Sequence, residues 1–372
     1  MTVASPLTVQ AFLLGHIQAL KRVAKVTVVA DSPNGKFLKT LGSGFGFRQI
    51  SIRRAINPWR DISALVSLLF FFYTEKFNLV HSYTPKAGLL AMTAAFFSGV
   101  PTRVHTFTGQ VWATKKGLFR LFLKSLDRIT ARMATHILVD SPSQMRFLHS
   151  EGVLRQEIGN VLGSGSVSGV DLKRFRPNAT VRKKIRKALG LTKDAVAFLF
   201  VGRLNRDKGI PELYEAFMAL RARMPAAWLV LVGPKEESIP FSPGLTGVDS
   251  GVVYVGPSSR PEDFMAAADV LVLPSHREGF GSTVIEAGAC GIPAVASRIY
   301  GLTDAVVHGR TGLLVTRGDV GELAQAMERL GKDRKLRLRM GRVAQRRAKV
   351  RFDQKKITEA LLQFYRKILP LH

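Results

Sequence analysis

The chain has 372 residues, with 55 Lys and Arg against 27 Asp and Glu and a formal net charge of +28. A single cysteine, Cys290, excludes a disulfide framework, and the length favours two hydrophobic cores over one. Such a charge indicates anionic partners. No zinc-ligand spacing, helix-turn-helix pattern or aromatic-interleaved basic platform accompanies it, so the sequence argues against a nucleic-acid-binding protein.

Short apolar segments alternate with helical stretches along the whole chain, which predicts an α/β fold with parallel sheets. The residues before Pro6 leave room for a first strand of only about three or four residues. Further strands of the first half are predicted at Lys25–Ala30, Leu79–Ser82, Thr102–Phe107 and Ile137–Val139. The apolar run Ile62–Tyr73 is shorter than the roughly 20 residues that span a bilayer, so we predict a buried or interfacial helix there.

Polar side chains follow two predicted strands of the first half. Thr84 and Lys86 come after one of them, and Thr108 comes after the strand that contains His105. The carboxyl ends of parallel strands share one edge, where ligands bind in open α/β sheets. We therefore predict that Thr84, Lys86 and Thr108 bind an acceptor, meaning a molecule that receives a transferred group, with Lys86 on its phosphate. His105 is interpreted either as a catalytic residue or as a structural histidine bonded to backbone.

Basic and large apolar side chains interleave between residues 115 and 126. The predicted membrane-facing residues are Lys115, Lys116, Leu118, Phe119, Arg120 and Phe122, accompanied by Leu121, Lys124 and Leu126. This composition is typical of interfacial helices, and each basic residue near an anionic leaflet contributes about 1 kcal/mol. The pattern predicts peripheral binding to an anionic membrane surface. A core helix with snorkelling cations is the alternative.

The second half repeats the alternation. A domain boundary is predicted at Pro177, which interrupts strand pairing and precedes a basic helix, so the domains would be 1–177 and 178–352. A basic run between Lys332 and Lys356 is compatible with a solvated helical face. The predicted strands are Val196–Gly202, Trp228–Gly233, Val252–Gly256, Val270–Pro274 and Pro293–Ser297.

Two cations lie in one loop after the first of these strands. Gly202 and Arg203 end the strand, Lys208 follows, and Pro211 is placed to open the next helix. A departing diphosphate needs positive partners, which this loop can supply. Taken alone, the segment is equally compatible with a solvated surface loop.

Two carboxylates, Glu278 and Glu286, flank a glycine-bracketed turn between a predicted strand and a helix. Carboxylates accept hydrogen bonds from sugar hydroxyls, and backbone N–H groups at a helix N-terminus favour an anion. The combination predicts a nucleotide-sugar site. The alternative is that the acids merely flank a helix N-terminal turn. The predicted backbone donors are Phe280, Gly281, Ser282, Thr283 and Val284.

Together these motifs resemble family 4 of the retaining glycosyltransferases. The resemblance is clear from about Gly163 to Val315 and looser in the first half. The motifs that carry it are Ser168-Gly169-Val170-Asp171 with Phe175, Val201-Gly202-Arg203-Leu204, Lys208-Gly209, Glu278 with Glu286, Gly301, and His308 to Val315. The resemblance implies two facing Rossmann-like domains of the glycosyltransferase B type, with a C-terminal helix (353–372) returning to the first domain. It also implies a nucleotide-sugar donor held mainly by the second half, and no metal or other cofactor.

Within that family, the first half is similar to enzymes that build bacterial surface polysaccharides such as O-antigen on polyprenyl-diphosphate carriers. The implied reaction transfers a hexosyl or N-acetylhexosaminyl group from a nucleotide diphosphate such as UDP to a hydroxyl of a lipid-linked glycan, with retention. In it Arg203 and Lys208 stabilise the departing diphosphate, Glu278 contacts the donor sugar and Glu286 the ribose. The leaving phosphate itself takes the acceptor proton. Thr108 stands where the family often has a histidine.

Two alternatives share parts of this pattern. A nucleotide-sugar 2-epimerase has the same fold but needs no basic amphipathic surface, and a noncatalytic membrane- or glycan-binding protein needs no paired cations and carboxylates.

The loop Ser5–Thr8 lacks the paired glycines common in the family. The sequence shows no signal peptide, in which a charged region precedes a cleavable apolar core. We therefore expect a cytoplasmic protein, peripheral on the inner face of the plasma membrane.

Overall fold

The structure is a computed structural model and describes residues 1–32, 44–53, 56–236 and 250–369. The chain divides into two compact units. The first contains Met1–Ser168 and the segment that begins at Gln354, and the second contains Gly169–Asp353. The division falls after Ser168 rather than at residue 177 because Val170 and Phe175 lie in the second unit's core, where the Val170 N–H donates to the Phe352 carbonyl at 2.6 Å.

The first unit is built on parallel strands. Their bounds are β1 (Thr27–Ala30), β2 (Gly46–Gln49), β3 (Leu79–Tyr83), β4 (Thr102–Phe107) and β5 (His136–Val139). β1 pairs with β2, and β3, β4 and β5 pair in that order. Thr2 bridges both Val29 and Ser82 in parallel, so residues 1–3 connect β1 with β3 where the sequence predicts a short strand. β2 was not predicted, because its residues are largely exposed and carry little apolar signal.

The helices of the first unit precede and follow these strands. They are α1 (Pro6–Thr8), a π-helical turn (Val9–Leu13), α2 (Leu14–Leu20), α3 (Pro58–Glu75), α4 (Pro85–Phe97), a 3₁₀ turn (Val111–Thr114), α5 (Gly117–Met133) and α6 (Pro142–Ser150). Asn57 caps α3 by accepting from the Arg60 N–H at 3.1 Å, and Ser141 caps α6 in the same way. Both helices carry proline in the first turn, where no N–H is needed. α4 packs between α3 and α5.

The second unit contains one parallel sheet in the order β11-β10-β9-β6-β7-β8. The strands are β6 (Val196–Val201), β7 (Ala227–Val232), β8 (Val252–Gly256), β9 (Val270–Leu273), β10 (Ala294–Ser297) and β11 (Gly312–Val315). Apolar sequences form these strands, which are buried on both faces except at the edge strand β8, and this is why the first five were predictable. β11 was not predicted as a strand, although its residues belong to the family motif from His308 to Val315. β6 and β9 are neighbours although about seventy residues separate them, and this order positions the candidate site.

Helices cover the sheet of the second unit. They are α7 (Ala179–Ala188), a 3₁₀ turn (Arg206–Lys208), α8 (Ile210–Arg223), α9 (Pro261–Ala267), α10 (Ser282–Ala289), α11 (Leu302–Ala305), α12 (Val320–Lys332) and α13 (Arg334–Arg351). Part of the basic run at 332–356 is structural. Arg337 donates to the carbonyls of Leu330 and Gly331, and Arg347 donates to the carbonyl of Ala305 at 2.7 Å.

The last helix, α14 (Gln354–Ile368), packs in the first unit. Its Leu361 and Tyr365 lie in the core beside Val28 and Leu138. Two buried histidines bind it: His16 lies 2.9 Å from the Thr358 hydroxyl, and His81 lies 2.5 Å from the Tyr365 hydroxyl. Among the described residues, no helix combines the length and the apolar character needed to cross a membrane.

Candidate active site

Two loops meet at the carboxyl edge of the second unit's sheet. One follows β6 and contains Arg203 and Lys208; the other follows β9 and contains Glu278. Because β6 and β9 are adjacent and parallel, their carboxyl ends bring the two loops side by side. Three site residues predicted from separate motifs therefore share one edge.

Both predicted cations are held by carboxylates. Lys208 Nζ forms an ion pair with Glu278 Oε1, which also accepts from the Ser275 hydroxyl at 2.9 Å. Arg203 Nη1 donates to Glu236 Oε2 at 2.6 Å. Glu236 was not predicted as a partner, since nothing in its local sequence distinguishes it. A bound diphosphate would have to compete with these carboxylates for both cations.

A second set of contacts joins the same two loops. Arg277 donates twice to Asp207 Oδ2, at 3.0 and 2.7 Å, and His276 Nε2 lies 2.8 Å from Glu212. The His276 N–H also donates to the Asp207 carbonyl at 2.9 Å. Sequence reasoning missed these contacts. The charge pattern Asp207-Lys208 facing Arg277-Glu278 is a signal that could have found them, because each residue meets an opposite charge across the loops.

Gly209 lets the loops approach this closely. Its φ is +69°, and a Cβ at this position would lie 2.1 Å from the Pro274 carbonyl oxygen. That contact is with backbone, which cannot move aside as a side chain would. Only glycine fits both the conformation and the space. Ile210 then begins α8 with Pro211 in its first turn, as predicted.

The turn before α10 supplies part of the predicted anion site. Gly281 precedes the helix, and the N–H groups of Ser282 and Thr283 have no acceptor within it, as at any helix N-terminus. The N–H of Val284, also predicted as a backbone donor, donates to the Gly281 carbonyl at 2.9 Å. Phe280 contributes a buried side chain that packs 5.2 Å from the Phe352 ring.

Glu286 lies on α10, and its side chain keeps partial contact with solvent. Burial removes water from around the carboxyl, which disfavours its charged form and raises its pKa to about 7. The positive charge of Arg174 opposes this rise. The carboxyl is therefore poised near neutrality. A ligand hydroxyl that donates to the ionised form would hold it deprotonated.

Of the acceptor-binding residues predicted in the first unit, Thr84 and Lys86 lie at the end of β3 and the start of α4, and Thr108 follows β4. Thr84 has φ +70°, a strained value for a β-branched residue, and within the described residues its buried hydroxyl has no hydrogen-bond partner. Lys86 Nζ lies 2.6 Å from Asp61, so its charge is matched by a carboxylate. The Thr108 carbonyl accepts from the side-chain amides of Gln110 and Gln144.

His105 lies in the interior of the first unit. It is 1% exposed, its Nδ1 lies 2.8 Å from the Ser82 hydroxyl, and burial lowers its pKa to about 3. A Cβ at Gly88 would lie 2.2 Å from its ring, so the helix α4 backbone covers it directly. A buried, neutral histidine covered in this way favours the structural interpretation over the catalytic one.

The predicted membrane segment forms α5 with an exposed apolar face. Leu118 is 85% exposed, and Phe119, Leu121 and Phe122 are each about half exposed. Lys115 and Lys116 are exposed just before the helix. Arg120, also predicted to face the membrane, forms an ion pair with Glu151 at 2.6 Å and lies over the Trp112 ring. Buried Lys124 binds the same carboxylate at 2.6 Å.

Comparison with known families decides the class of protein. Residues 181–347 match the model "Glycosyl transferases group 1", and residues 11–159 match "Glycosyl transferase 4-like domain". The chain is also 32% identical over 359 residues to the capsular polysaccharide biosynthesis glycosyltransferase CapM of Staphylococcus aureus, covering 95% of this chain and 93% of that protein. The chain belongs to the group 1 glycosyl transferases.

Another relative and one solved structure extend this family assignment. The chain is 28% identical over 295 residues to the Escherichia coli UDP-Gal:alpha-D-GlcNAc-diphosphoundecaprenol alpha-1,3-galactosyltransferase, covering 77% of this chain and 74% of that one. The Anabaena protein HepE, solved in complex with UDP and glucose, has a TM-score of 0.79 at 20% identity over 99% of this chain and 98% of its own. The chain thus has the fold of the B-type glycosyltransferases, which confirms the predicted fold class. The family models and the similarity to CapM confirm that it is a glycosyltransferase.

The described residues include no cluster of three or more His, Cys, Asp or Glu side chains arranged as metal ligands. The free Cys290 is buried, and burial raises the pKa of its thiol to about 12, which does not suit a nucleophile.

Proposed function

We propose that this glycosyltransferase moves a hexosyl or N-acetylhexosaminyl group from a UDP-sugar to a hydroxyl of a polyprenyl-diphosphate-linked glycan, with retention, in bacterial surface polysaccharide assembly. One observation carries the donor half of the proposal: two cations and a carboxylate from separate motifs, Arg203, Lys208 and Glu278, lie on adjacent strand-end loops. The kinship to the Escherichia coli galactosyltransferase supports both the nucleotide and the lipid-linked acceptor.

In the proposed reaction, Arg203 and Lys208 exchange their carboxylate partners for the donor diphosphate. Negative charge grows on the diphosphate as the bond to the sugar breaks, so these contacts strengthen in the transition state. The N–H groups of Ser282 and Thr283 add donors at a helix N-terminus. Glu286 accepts from the ribose hydroxyls.

Glu278 acts as a hydrogen-bond acceptor for donor-sugar hydroxyls. Its engagement by Lys208 and Ser275 supports this role over that of a covalent nucleophile. The bond from the anomeric carbon to the leaving phosphate breaks, the acceptor oxygen attacks from the same face, and the leaving phosphate oxygen takes the acceptor proton. The reaction proceeds without a metal, because two protein cations meet the diphosphate charge.

Peripheral membrane attachment belongs to the same proposal. The exposed apolar face of α5 (Leu118, Phe119, Leu121, Phe122), with Lys115 and Lys116 beside it, suits an anionic surface. A lipid-linked acceptor is presented at the inner face of the plasma membrane in this arrangement.

A panel of nucleotide-sugars tests the function directly. The protein is incubated with each donor, with and without a short-chain polyprenyl-diphosphate glycan, and products are identified by mass spectrometry and by NMR of the new anomeric proton. We expect slow hydrolysis of one UDP-sugar and faster transfer with retained configuration. Inverted product would contradict the mechanism, and epimerised free nucleotide-sugar would favour the 2-epimerase alternative.

A further inference from the structure

A cationic groove lies between the end of β2 and the first turns of α3. Its volume is about 480 Å³, within the range of about 300–1,000 Å³ typical of small-molecule sites. We call it the arginine groove. The residues that line it include Arg48, Arg53, Trp59, Arg60, Ser63 and Ser67. No family motif and no residue of the candidate active site falls in this lining.

The charge of the arginine groove is not neutralised by its neighbours. In the described part of the chain, no ion pair joins Arg48, Arg53 or Arg60 to a carboxylate, and all three are exposed. Asp61, in the first turn of α3, is instead bound to Lys86 at 2.6 Å. Asp31 is not one of the lining residues, and it accepts at 3.1 Å from the hydroxyl of Ser51, which is one. The groove thus presents guanidinium groups without a matching carboxylate in its lining.

Guanidinium groups bind phosphate oxygens in bidentate geometry, and several of them around one concave site match a group that carries more than one negative charge. The serine hydroxyls of the lining can donate further hydrogen bonds. The Ser67 hydroxyl donates to the Ser63 backbone carbonyl at 2.8 Å. The chemistry of the groove fits a phosphate or diphosphate.

The same helix carries an exposed apolar stripe that begins at the groove. Its members recur every three or four residues, so they lie on one face of α3. They are Trp59 (83% exposed), Ile62 (54%), Val66 (60%), Phe70 (65%) and Tyr73 (67%). The stripe runs for about 21 Å at 1.5 Å per residue, with an aromatic amphipathic side chain at each end. Such a face is typical of a helix lying in a membrane interface.

We propose that the arginine groove binds the diphosphate of an isoprenoid-linked acceptor while the apolar stripe of α3 lies in the membrane interface beside the lipid. This inference rests on the proposed function for its acceptor class. Trp59 belongs to both surfaces, which puts the phosphate-binding groove at the depth of lipid headgroups when the stripe is inserted. α4 packs against α3, so the strained Thr84 and Lys86 at its N-terminus neighbour this acceptor region.

Vesicle flotation with matched variants tests the assignment. The full chain is mixed with phosphatidylcholine vesicles, plain or doped with undecaprenyl diphosphate. The groove variant is Arg53→Gln with Arg60→Gln. Its control is Arg146→Gln with Arg155→Gln, which removes the same charge from exposed arginines of the same unit. The stripe variant is Val66→Ser with Phe70→Ser. Soluble inorganic pyrophosphate serves as a competitor.

Wild-type protein and the control variant should bind doped vesicles at least about tenfold more tightly than plain ones. The groove variant should lose most of this excess, and the stripe variant should bind both kinds of vesicle more weakly, because the apolar face of α5 remains. Competition by pyrophosphate at millimolar concentration would support recognition of the diphosphate itself. Equal losses in the groove and control variants, or no preference of wild-type protein for doped vesicles, would overturn the proposal.

A separate measurement, hydrolysis of the nucleotide-sugar, distinguishes failure of the proposed function from failure of the arginine-groove proposal. Hydrolysis of a nucleotide-sugar by wild-type protein needs neither vesicles nor acceptor. If hydrolysis is absent but the groove-dependent preference for doped vesicles is present, the diphosphate site stands and the transfer reaction does not. If hydrolysis and transfer to a soluble acceptor occur without any such preference, the arginine groove has another role and this proposal is wrong.

Discussion

Lys208 and Glu278, seventy positions apart, form an ion pair that joins the loop after β6 to the loop after β9. Both side chains are largely buried, at 18% and 14% exposure, so the pair is shielded from solvent screening more than a surface pair. In the proposed reaction this cation moves from a carboxylate to the donor diphosphate. The pair therefore keeps the unliganded site neutral and places Lys208 beside its substrate.

Loss of either cation should slow catalysis. We expect Arg203→Ala and Lys208→Ala each to lower kcat/KM by a factor on the order of ten to a thousand, because each removes a transition-state charge partner. Arg206→Ala, on the same loop and exposed, is the matched control. Circular dichroism would verify folding. Wild-type turnover in a folded Arg203→Ala/Lys208→Ala double variant would contradict the assignment.

The contact between Arg277 and Asp207 should act by positioning. Arg277→Ala would remove one of the contacts that hold the loop after β9 against the loop after β6, so we expect a fall in kcat of roughly tenfold with a smaller change in nucleotide affinity. The exposed pair of Arg260 with Asp263 offers a control in the same unit, since Arg260→Ala should leave kcat unchanged. Equal effects of both substitutions would indicate a general loss of stability.

Nucleotide affinity should depend on Glu286 and on pH. Burial raises the pKa of this carboxyl to about 7, so it is protonated below that pH and accepts fewer hydrogen bonds from ribose hydroxyls. We expect UDP affinity to rise as pH increases from 6 to 8 in wild-type protein. Glu286→Gln should bind UDP more weakly and lose that part of the pH dependence. Calorimetry that shows the same profile in both proteins would exclude a ribose contact.

The first unit should lose stability in acid through its buried histidines. Burial lowers the pKa of His105 to about 3 and lowers those of His16 and His81, whereas in the unfolded chain each titrates near 6.5. Between these values the unfolded state binds more protons, so stability falls as pH drops below about 6.5. Urea unfolding of a Trp228→Phe variant, followed by the fluorescence of Trp59 and Trp112, which both lie in the first unit, would measure this.

The control for that experiment is a histidine on the surface. His105→Asn should reduce the slope of stability against pH, whereas His149→Asn, at a site close to the surface, should leave it unchanged. Equal slopes in wild-type protein and His105→Asn would show that His105 is not neutral in the folded state.

Membrane binding should require the apolar face of α5. Wild-type protein should float with anionic vesicles, with part of the binding lost as salt shortens the Debye length from about 10 Å at 0.1 M. Phe119→Ser with Phe122→Ser should remove the salt-resistant part. Leu338→Ser with Val350→Ser, exposed apolar residues of the second unit, is the matched control. If wild-type protein ignores anionic vesicles at low salt, the membrane interpretation of the net charge is wrong.

Local sequence determined the class of fold and the outline of the site. Apolar runs marked most strands because a strand that is buried on both faces needs apolar residues along its length, and glycine, proline and charged residues marked the loops after them. Those signals depend on neighbours along the chain. For the same reason β2, exposed and polar, stayed hidden, as its pairing with β1 depends on backbone bonds rather than on side chains.

Only the tertiary structure decided which partner each charge has. Local sequence cannot show that Lys208 meets Glu278, that Arg203 meets Glu236, or that Arg120 and Lys124 share Glu151. Nor could it choose between a catalytic and a structural His105, since its burial comes from the packing of α4 over β4. The partner of each charged side chain and the burial of each residue depend on strand order and helix packing, which bring together residues far apart in sequence. The spacing of apolar residues, in contrast, can be read from neighbouring positions along the chain.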